Sequence, residues 1–374
     1  MSDISIKVND KYFRDWNNLL VTKELESVAG SFEFNLVSTG SDWLPLLEGD
    51  QIEIFHKRTP LITGFVDYIG PDLDAEDRTI IVSGRDNTCD LVDCTYDGNK
   101  TEFKGVHRID AIARELISQF NMDLVSQLDA TPALKNFKYD PGEKIWDALE
   151  RAASQTGVLF QPSGDGRLLL TMLPDVTESV WLVEGEKLLS CYANYDNSSR
   201  FSHYSMIAEL PSTEKETSYD PESDPDASAG DDELDIADRR EVKNPQTIIK
   251  FARDENVRRY RPLTLIADSK MTPNACQDAI NWEMSVRAAR AFEASAIVQG
   301  WDYNGKPWLP NTIIKVHSPK NEIYELDLLI TSVTYTFDED GTTTSLSLAK
   351  ANAYQPKPRI FKDERLKEKA QTAP

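Results

Sequence analysis

Cysteine is scarce in this sequence, with four residues in a chain of 374. Cys89 and Cys94 lie five positions apart, whereas Cys191 and Cys276 stand alone. A disulfide framework needs several paired cysteines and an oxidising compartment. We therefore predict four buried free thiols in a protein made in a reducing cytoplasm, and we rank a Cys89–Cys94 disulfide well below that interpretation.

Long apolar runs and excess positive charge are also missing. No stretch of about 18 apolar residues exists, so we predict no membrane-spanning helix, and the opening MSDISIKVND has no pattern of a signal peptide. The chain has 41 basic against 63 acidic residues, a net charge of −22. Because phosphate contacts need a basic surface, we predict that the protein does not bind nucleic acid sequence-specifically. This charge favours solubility and basic protein partners.

Motifs that carry catalysis are missing as well. The sequence contains no phosphate-cradling glycine loop, no C-x-x-C, no H-E-x-x-H and no G-x-S-x-G. Its four histidines are widely spread, and only His203, between Ser202 and Tyr204, resembles a catalytic base. A hydrogen-bonded structural role is the favoured interpretation of His203. We predict that the protein is not an enzyme and holds no cofactor and no metal.

Three other segments have a functional and a structural interpretation. Asp165, between two glycines, is a lone acid where a glycosidase needs a pair, so a turn role is favoured. The run 231–235 offers hard oxygen ligands for Ca²⁺ but reads better as a solvated acidic segment. The aromatic stretch Trp301–Trp308 is either a sugar-stacking platform or, as we favour, a packed lid or interface anchor.

Alternating apolar residues dominate the first part of the chain. Ile4, Ile6 and Val8 show the pattern, and turn signals recur every 12–20 residues, as in a small barrel or sandwich. We predict a first β-barrel over residues 1–95.

Helical spacing then predicts a small α+β domain over residues 96–175. Its first amphipathic helix covers 107–120. Its second helix begins with the cap Asp140, Pro141 and the capping-box Glu143, and ends at Gly157. A hairpin with a turn at 163–166 follows.

Strands resume over residues 176–350, predicted as a second β-barrel region with a helix at 273–293. Segment 211–238 interrupts them with 11 acidic residues and one lysine, so we expect a loop that is disordered or ordered by a partner. Residues 351–374 are predicted to form a mobile tail.

A basic cluster stands out in this acidic chain. Arg258, Arg259 and Arg261 lie in the segment ENVRRYRPL. Because arginine binds carboxylates in two-pronged pairs, these side chains are candidates for contacts across a subunit boundary. The alternative is an exposed strand with weak ion pairs inside the chain.

The order of several segments resembles that of a known family. They are SIKVND, LLVTKELESVAGSFEFNLV, LEGDQIEIF, IIVSGRDNTCDLVDC, PGEKIWDALERAASQTGVLFQPSGDGRLLLT, ENVRRYRPL and WEMSVRAARAFEASAIVQGW. Over residues 1–350 their spacing is similar to that of hub proteins of contractile phage tails, most closely the tail protein P group of Mu-like phages. T4-like hubs, P2-like late control D proteins and the hub portion of type VI secretion spikes are more distant. The acidic loop and the basic tail are not part of the shared pattern.

This resemblance implies an α+β, mainly β, structural protein with two related small β-barrels and a small α+β domain. Such hubs form homotrimeric rings of pseudo-six-fold symmetry that join the tail tube to the central spike, next to other baseplate (wedge) proteins. The expected location is the virion tail baseplate, after assembly in the host cytoplasm. The alternatives are a tail-associated enzyme that degrades the cell wall and a glycan-binding protein.

Overall fold

A computed structural model describes residues 3–37, 46–73, 78–210 and 247–356 of the chain. These residues divide into two compact units, one within 1–199 and 286–357 and the other within 200–285. The predicted acidic loop and most of the predicted tail lie outside the described residues. The predicted domain boundaries at 95, 175 and 350 stay predictions.

The described chain is mainly β, as predicted, and its elements follow one another from the N-terminus. In the first stretch of the first unit they are β1 Ile4–Val8, β2 Lys11–Phe13, β3 Asn17–Glu24, β4 Ser31–Val37, β5 Gln51–His56, β6 Thr59–Leu73, β7 Arg78–Asp86, α1 Cys89–Asp93, β8 Glu102–Arg108, α2 Ile109–Ile117, β9 Leu124–Ser126, β10 Ala133–Lys138, α3 Ile145–Thr156, β11 Leu159–Pro162, β12 Leu168–Thr171, β13 Thr177–Val183 and β14 Leu188–Tyr195. The second unit contributes β15 His203–Glu209, β16 Thr247–Arg253, β17 Pro262–Ile266 and α4 Pro273–Arg290, which continues past the boundary at Ser285. The chain then forms β18 Phe292–Gln299, β19 Asp302–Tyr303, β20 Lys306–Pro307, β21 Thr312–Ser318, β22 Ile323–Asp338 and β23 Gly341–Ala349.

One large sheet organises the first unit. In the described residues it has thirteen strands, in the order β14-β18-β23-β22-β3-β4-β7-β6-β5-β1-β2, with β21 beside β22 and β13 beside β21. The long strand β22 pairs with β21 up to Ile330 and with β3 from Ser332 onward, and a register shift marks the change of partner. Within the described ranges no path of paired strands closes on itself, so the two predicted barrels are not observed as closed barrels there.

The core of this sheet joins residues from both ends of the sequence. Strand β1 alternates buried and half-buried residues, as expected for a strand with one face on a core. Trp301 and Trp308 are each 1 % exposed, and Trp301 Nε1 donates to the Thr336 carbonyl at 2.9 Å. The Tyr335 hydroxyl donates to the Trp308 carbonyl, and burial raises the pKa of Tyr335. These rings are core residues and offer no surface for stacking a sugar, so the packed interpretation is the correct one.

The predicted α+β elements are present with shifted boundaries. The first helix, α2, begins at Ile109 and continues into a 3₁₀ turn that ends at Phe120. The second helix, α3, begins at Ile145 and not at Pro141, because Gly142 has a φ of +83°, which a right-handed helix does not accept. Gly157 ends it in the left-handed conformation, as predicted. The predicted hairpin joins β11 to β12.

The predicted helix 273–293 ends three residues early, at Arg290. Phe292 belongs instead to strand β18, in which every second residue is buried. The spacing of Phe292 from Ala289 fits a helix as well as a new strand, so the local pattern alone misled the prediction.

All four cysteines are free, as predicted, but only two of them are buried. Cys89 and Cys276 are buried, whereas Cys94 and Cys191 are partly exposed. Burial raises the pKa of the Cys89 thiol to about 12, so this group is an unreactive core residue.

Candidate assembly surface

The candidate catalytic and metal residues have structural partners or lie beyond the described ranges. His203 Nδ1 lies 2.9 Å from Ser202 Oγ, and its ring packs edge-on against Tyr260. Asp165 accepts a hydrogen bond from Arg167 Nε at 2.8 Å, which lowers the pKa of this turn carboxylate. The acidic segment 231–235, for which Ca²⁺ binding was the less favoured interpretation, lies outside the described residues.

The described part of the chain has neither a metal-binding cluster nor a membrane-spanning helix. No group of three or more His, Cys, Asp or Glu side chains there is arranged to hold a metal ion. No helix there is long and apolar enough to cross a membrane. The second unit instead carries exposed apolar and basic side chains on one surface.

In the described residues of the second unit, the core lies on one face of its sheet. The sheet runs β16-β15-β17, with β15 antiparallel to β16 and parallel to β17. Alternate residues of β15 point to the helix α4, because side chains on a strand alternate between faces. The buried residues on this side are Tyr204, Met206, Ala208, Met271, Cys276, Ala279 and Ile280.

The opposite face of the same sheet carries large apolar side chains in register. Ile207 lies between Ile249 and Ile266 on the neighbouring strands, and Phe251 is beside Ser205 in the next row. Ile249 is 50 %, Phe251 67 % and Ile266 79 % exposed. We call Ile207, Ile249, Phe251 and Ile266 the open face.

A loop at one end of the open face carries the predicted arginines. It is held by Asp254, which is buried and accepts two hydrogen bonds from Arg200, at 2.6 Å from Nε and 3.0 Å from Nη2. Burial alone would raise the pKa of Asp254, but Arg200 and the backbone N–H of Asn256 outweigh it, so the pKa is lowered. The loop therefore has a fixed base.

The structure separates the three predicted arginines into two kinds. Arg261 is half-buried; its guanidinium lies over the Phe201 ring at 4.9 Å, and its backbone N–H donates to Ser202 Oγ at 2.7 Å. Arg258 and Arg259 are exposed, and neither has a carboxylate within 4 Å in the described part of the chain. Arg261 thus shapes the loop, whereas Arg258 and Arg259 are available to an external partner.

Tyr260 extends the apolar surface into this loop. It is 75 % exposed and packs against His203, which lies in the row next to Phe251 on the outer side of the sheet. Arg253, opposite His203, is also exposed. An apolar centre with a basic border is suited to docking a protein with an acidic surface.

Sequence reasoning identified the arginines but missed the open face. The available signal was the strand TIIKFAR at 247–253, which has apolar residues at both odd and even positions and therefore on both of its faces. Ile248 faces the helix side, and Ile249 faces outward. A strand that is apolar on both sides predicts either two covering layers or a partner.

Solved structures share this fold over nearly the whole chain. The 43 kDa tail protein of prophage MuSo2 from Shewanella oneidensis has a TM-score of 0.77 at 23% identity, covering 95% of this chain and 99% of that one. The tail protein of Neisseria meningitidis MC58 has a TM-score of 0.72 at 20% identity, covering 95% and 98%. The fold is therefore that of phage tail proteins.

Family models match three successive parts of the chain. Residues 3–86 match the N-terminal domain described as Mu phage baseplate assembly protein GpP-like. Residues 88–172 match the second domain of baseplate hub protein gp44-like, and residues 272–357 the fourth domain of Mu phage baseplate assembly protein GpP. Baseplate hub protein gp44 of Escherichia phage Mu is 29% identical over 359 residues, covering 94% of this chain and 88% of the relative. In three of its parts and over most of its length, the chain is therefore similar to Mu-like phage baseplate hub proteins.

Proposed function

We propose that this chain is a structural baseplate hub, a homotrimeric adaptor that joins the tail tube to the central spike of a contractile phage tail or a phage-tail-like particle. The observation that carries the proposal is the match of three successive hub-family models in chain order, over residues 3–86, 88–172 and 272–357. The buried aromatic stretch Trp301–Trp308 gives no support to a glycan-binding alternative.

The large sheet supports an adaptor of pseudo-six-fold symmetry. Strand β22 joins two lobes, one built from β3-β4-β7-β6-β5-β1-β2 and one from β23-β18-β14 with β21-β13. Three copies of a chain with two lobes present six sheet lobes around an axis, which matches a six-fold tube on one side and a three-fold spike on the other. A closed ring leaves no open interface.

Its proposed partners are the tail tube protein, the spike protein and other baseplate proteins, in the virion tail after assembly in the host cytoplasm. In this role the protein performs no chemistry; it uses rigid, preformed surfaces. The exposed Arg258 and Arg259 are proposed to contact a neighbouring subunit, with Arg261 holding their loop.

The proposal is tested by deleting the chain from its particle and imaging the products by electron microscopy. Without the hub, spikes and tail tubes should accumulate separately, and supplying the chain in trans should restore joined tails. Joined, infectious tails in the absence of the chain would contradict the adaptor role. A zymogram on peptidoglycan with the purified chain tests the alternative of a wall-degrading enzyme, and we expect no clearing.

A further inference from the structure

We infer that the open face of the second unit is buried against a second copy of this chain and forms the apolar centre of the subunit interface. The inference rests on the proposed homotrimer and deepens it, because it names the surface that holds the copies together. It is carried by the register of Ile207, Ile249, Phe251 and Ile266 on one side of the sheet and by the exposure of the last three side chains.

The size of the apolar surface is that of a functional patch and suits the centre of an interface. Because an aromatic side chain offers roughly 150–250 Å², Phe251, Tyr260 and the two exposed isoleucines together present on the order of 500 Å². A patch of this size on a monomer is often functional. It supplies much of the roughly 800 Å² per partner that a standard stable interface buries, and the polar border supplies the rest.

The surface also contains a place for an anchoring side chain. A depression of about 460 Å³ is lined by the open-face residues Ile207 and Ile266 together with polar and charged residues that include Glu209, Asp268 and Lys270. Interfaces concentrate their binding energy where a large side chain of one partner fills such a depression on the other. The open face is therefore shaped to receive a side chain.

Charge complementarity favours another copy of this chain as the occupant. The border of the open face is basic at the end that carries exposed Arg253, Arg258 and Arg259, whereas Glu209 and Asp268 are exposed at the other end. The chain as a whole carries −22, and removing the −10 of residues 211–238 still leaves −12 on the remainder. A second copy thus brings an acidic surface to a basic border, and complementary charges favour this pairing.

A three-fold ring sets the geometry of the contact. The open face of one copy must meet a different surface of the next copy, because a face meeting itself closes a two-fold dimer. In this arrangement the apolar centre chiefly slows dissociation, and the arginine border chiefly speeds association and fixes orientation.

The test is the assembly constant of the full chain, measured by sedimentation at several concentrations, for the wild type and for Phe251→Ser combined with Ile266→Ser. Both side chains are exposed within the chain, so the variant should keep its circular dichroism and its unfolding midpoint. We expect assembly at least about 100-fold weaker, since two central apolar anchors are lost. The single variant Ile266→Lys is a second, independent disruption of the same face.

The matched control is Leu189→Ser combined with Tyr192→Ser, on strand β14 of the first unit, where both side chains are 54 % and 66 % exposed. This control should assemble like the wild type, so that a loss confined to the open-face variants identifies their face as part of the interface. If the wild type and both open-face variants all form trimers of equal strength, the inference is wrong while the proposed hub stands. If the wild type itself stays at 42.2 kDa at every concentration, both the homotrimer and this interface are wrong.

Discussion

Strand β18 of the first unit and strand β16 of the second unit show the same alternation but present different outer faces. In the first unit, strand β18 buries Phe292, Ala294, Ala296 and Val298 and turns mostly polar residues outward. In the second unit, β16 turns Ile249 and Phe251 outward. Since folding needs only one covered face of an antiparallel sheet, apolar residues on the other face indicate a requirement beyond folding.

This contrast separates residues that stabilise the fold from residues that serve assembly. The first unit has an extensive core that includes both ends of the large sheet, whereas the core of the second unit is a small cluster between one sheet face and α4. Replacing a buried isoleucine of the first unit should therefore lower the stability of the fold. Replacing an isoleucine of the open face should leave the fold stable and weaken assembly.

The largest effect is expected from Ile330→Ala in strand β22, where the side chain is fully buried at the change of strand partner. Loss of the buried atoms and the remaining cavity should lower the free energy of unfolding by about 2–5 kcal/mol. The matched variant Ile266→Ala, at an exposed position, should change it by less than about 0.5 kcal/mol. Chemical denaturation measures both, and equal effects would remove the distinction between the two faces.

A smaller loss is expected from Asp254→Asn in the second unit. The change leaves the largely buried Arg200 without its two-pronged partner, and we expect about 2 kcal/mol of destabilisation. Hydrogen exchange should rise in the loop that carries Arg258 and Arg259. The control is Glu255→Gln at the neighbouring exposed position, which should leave stability and exchange unchanged.

Acid should weaken the first unit through Asp302. Burial alone would raise the pKa of Asp302, but Lys57 Nζ, which donates at 2.5 Å, and His56 Nε2, at 2.7 Å from the same oxygen, lower it to about 2. A lowered pKa stabilises the fold above the unfolded pKa of about 4, and this contribution is lost as the pH falls to about 2. After allowing for solvent screening we expect about 1–2 kcal/mol. Asp302→Asn should remove this part of the acid dependence, and an unchanged dependence would contradict the assignment.

The smallest effect is expected from reversing the exposed arginines. Arg258→Glu combined with Arg259→Glu should slow association about tenfold at low salt, because the border loses its attraction for an acidic surface. The difference should shrink at 1 M salt. Lys11→Glu combined with Arg14→Glu, an equal charge change at exposed positions of the first unit, should have little effect on the rate measured by stopped-flow light scattering.

Local patterns in the sequence predicted much of the fold but not its long-range pairing. The alternation of Ile4, Ile6 and Val8 and the end of α3 at Gly157 are local properties, and both were predicted correctly. The predicted start of α3 was wrong, because the capping residues around Gly142 do not reveal its positive φ. The change of partner along β22 depends on residues more than 300 positions apart, which no local pattern encodes.

The candidate site was predicted only in part, for a related reason. The arginines are visible as a rare basic cluster in an acidic chain, but their division into a packed Arg261 and an exposed Arg258 and Arg259 depends on Phe201, far away in sequence. The open face needs the register of three strands, and β17 lies beside β15 in parallel, an arrangement that the chain order does not reveal.

The central claim is that three copies of the chain form a ring. Its most direct test is the solution mass of the full chain, measured by light scattering after size exclusion at low and high salt. A homotrimer has a mass of three times 42.2 kDa, or 126.6 kDa, and its negative-stain images should show a ring. An apolar centre predicts that most of the trimer survives high salt. A dimer or a tetramer, or a monomer at every concentration tested, would contradict the claim.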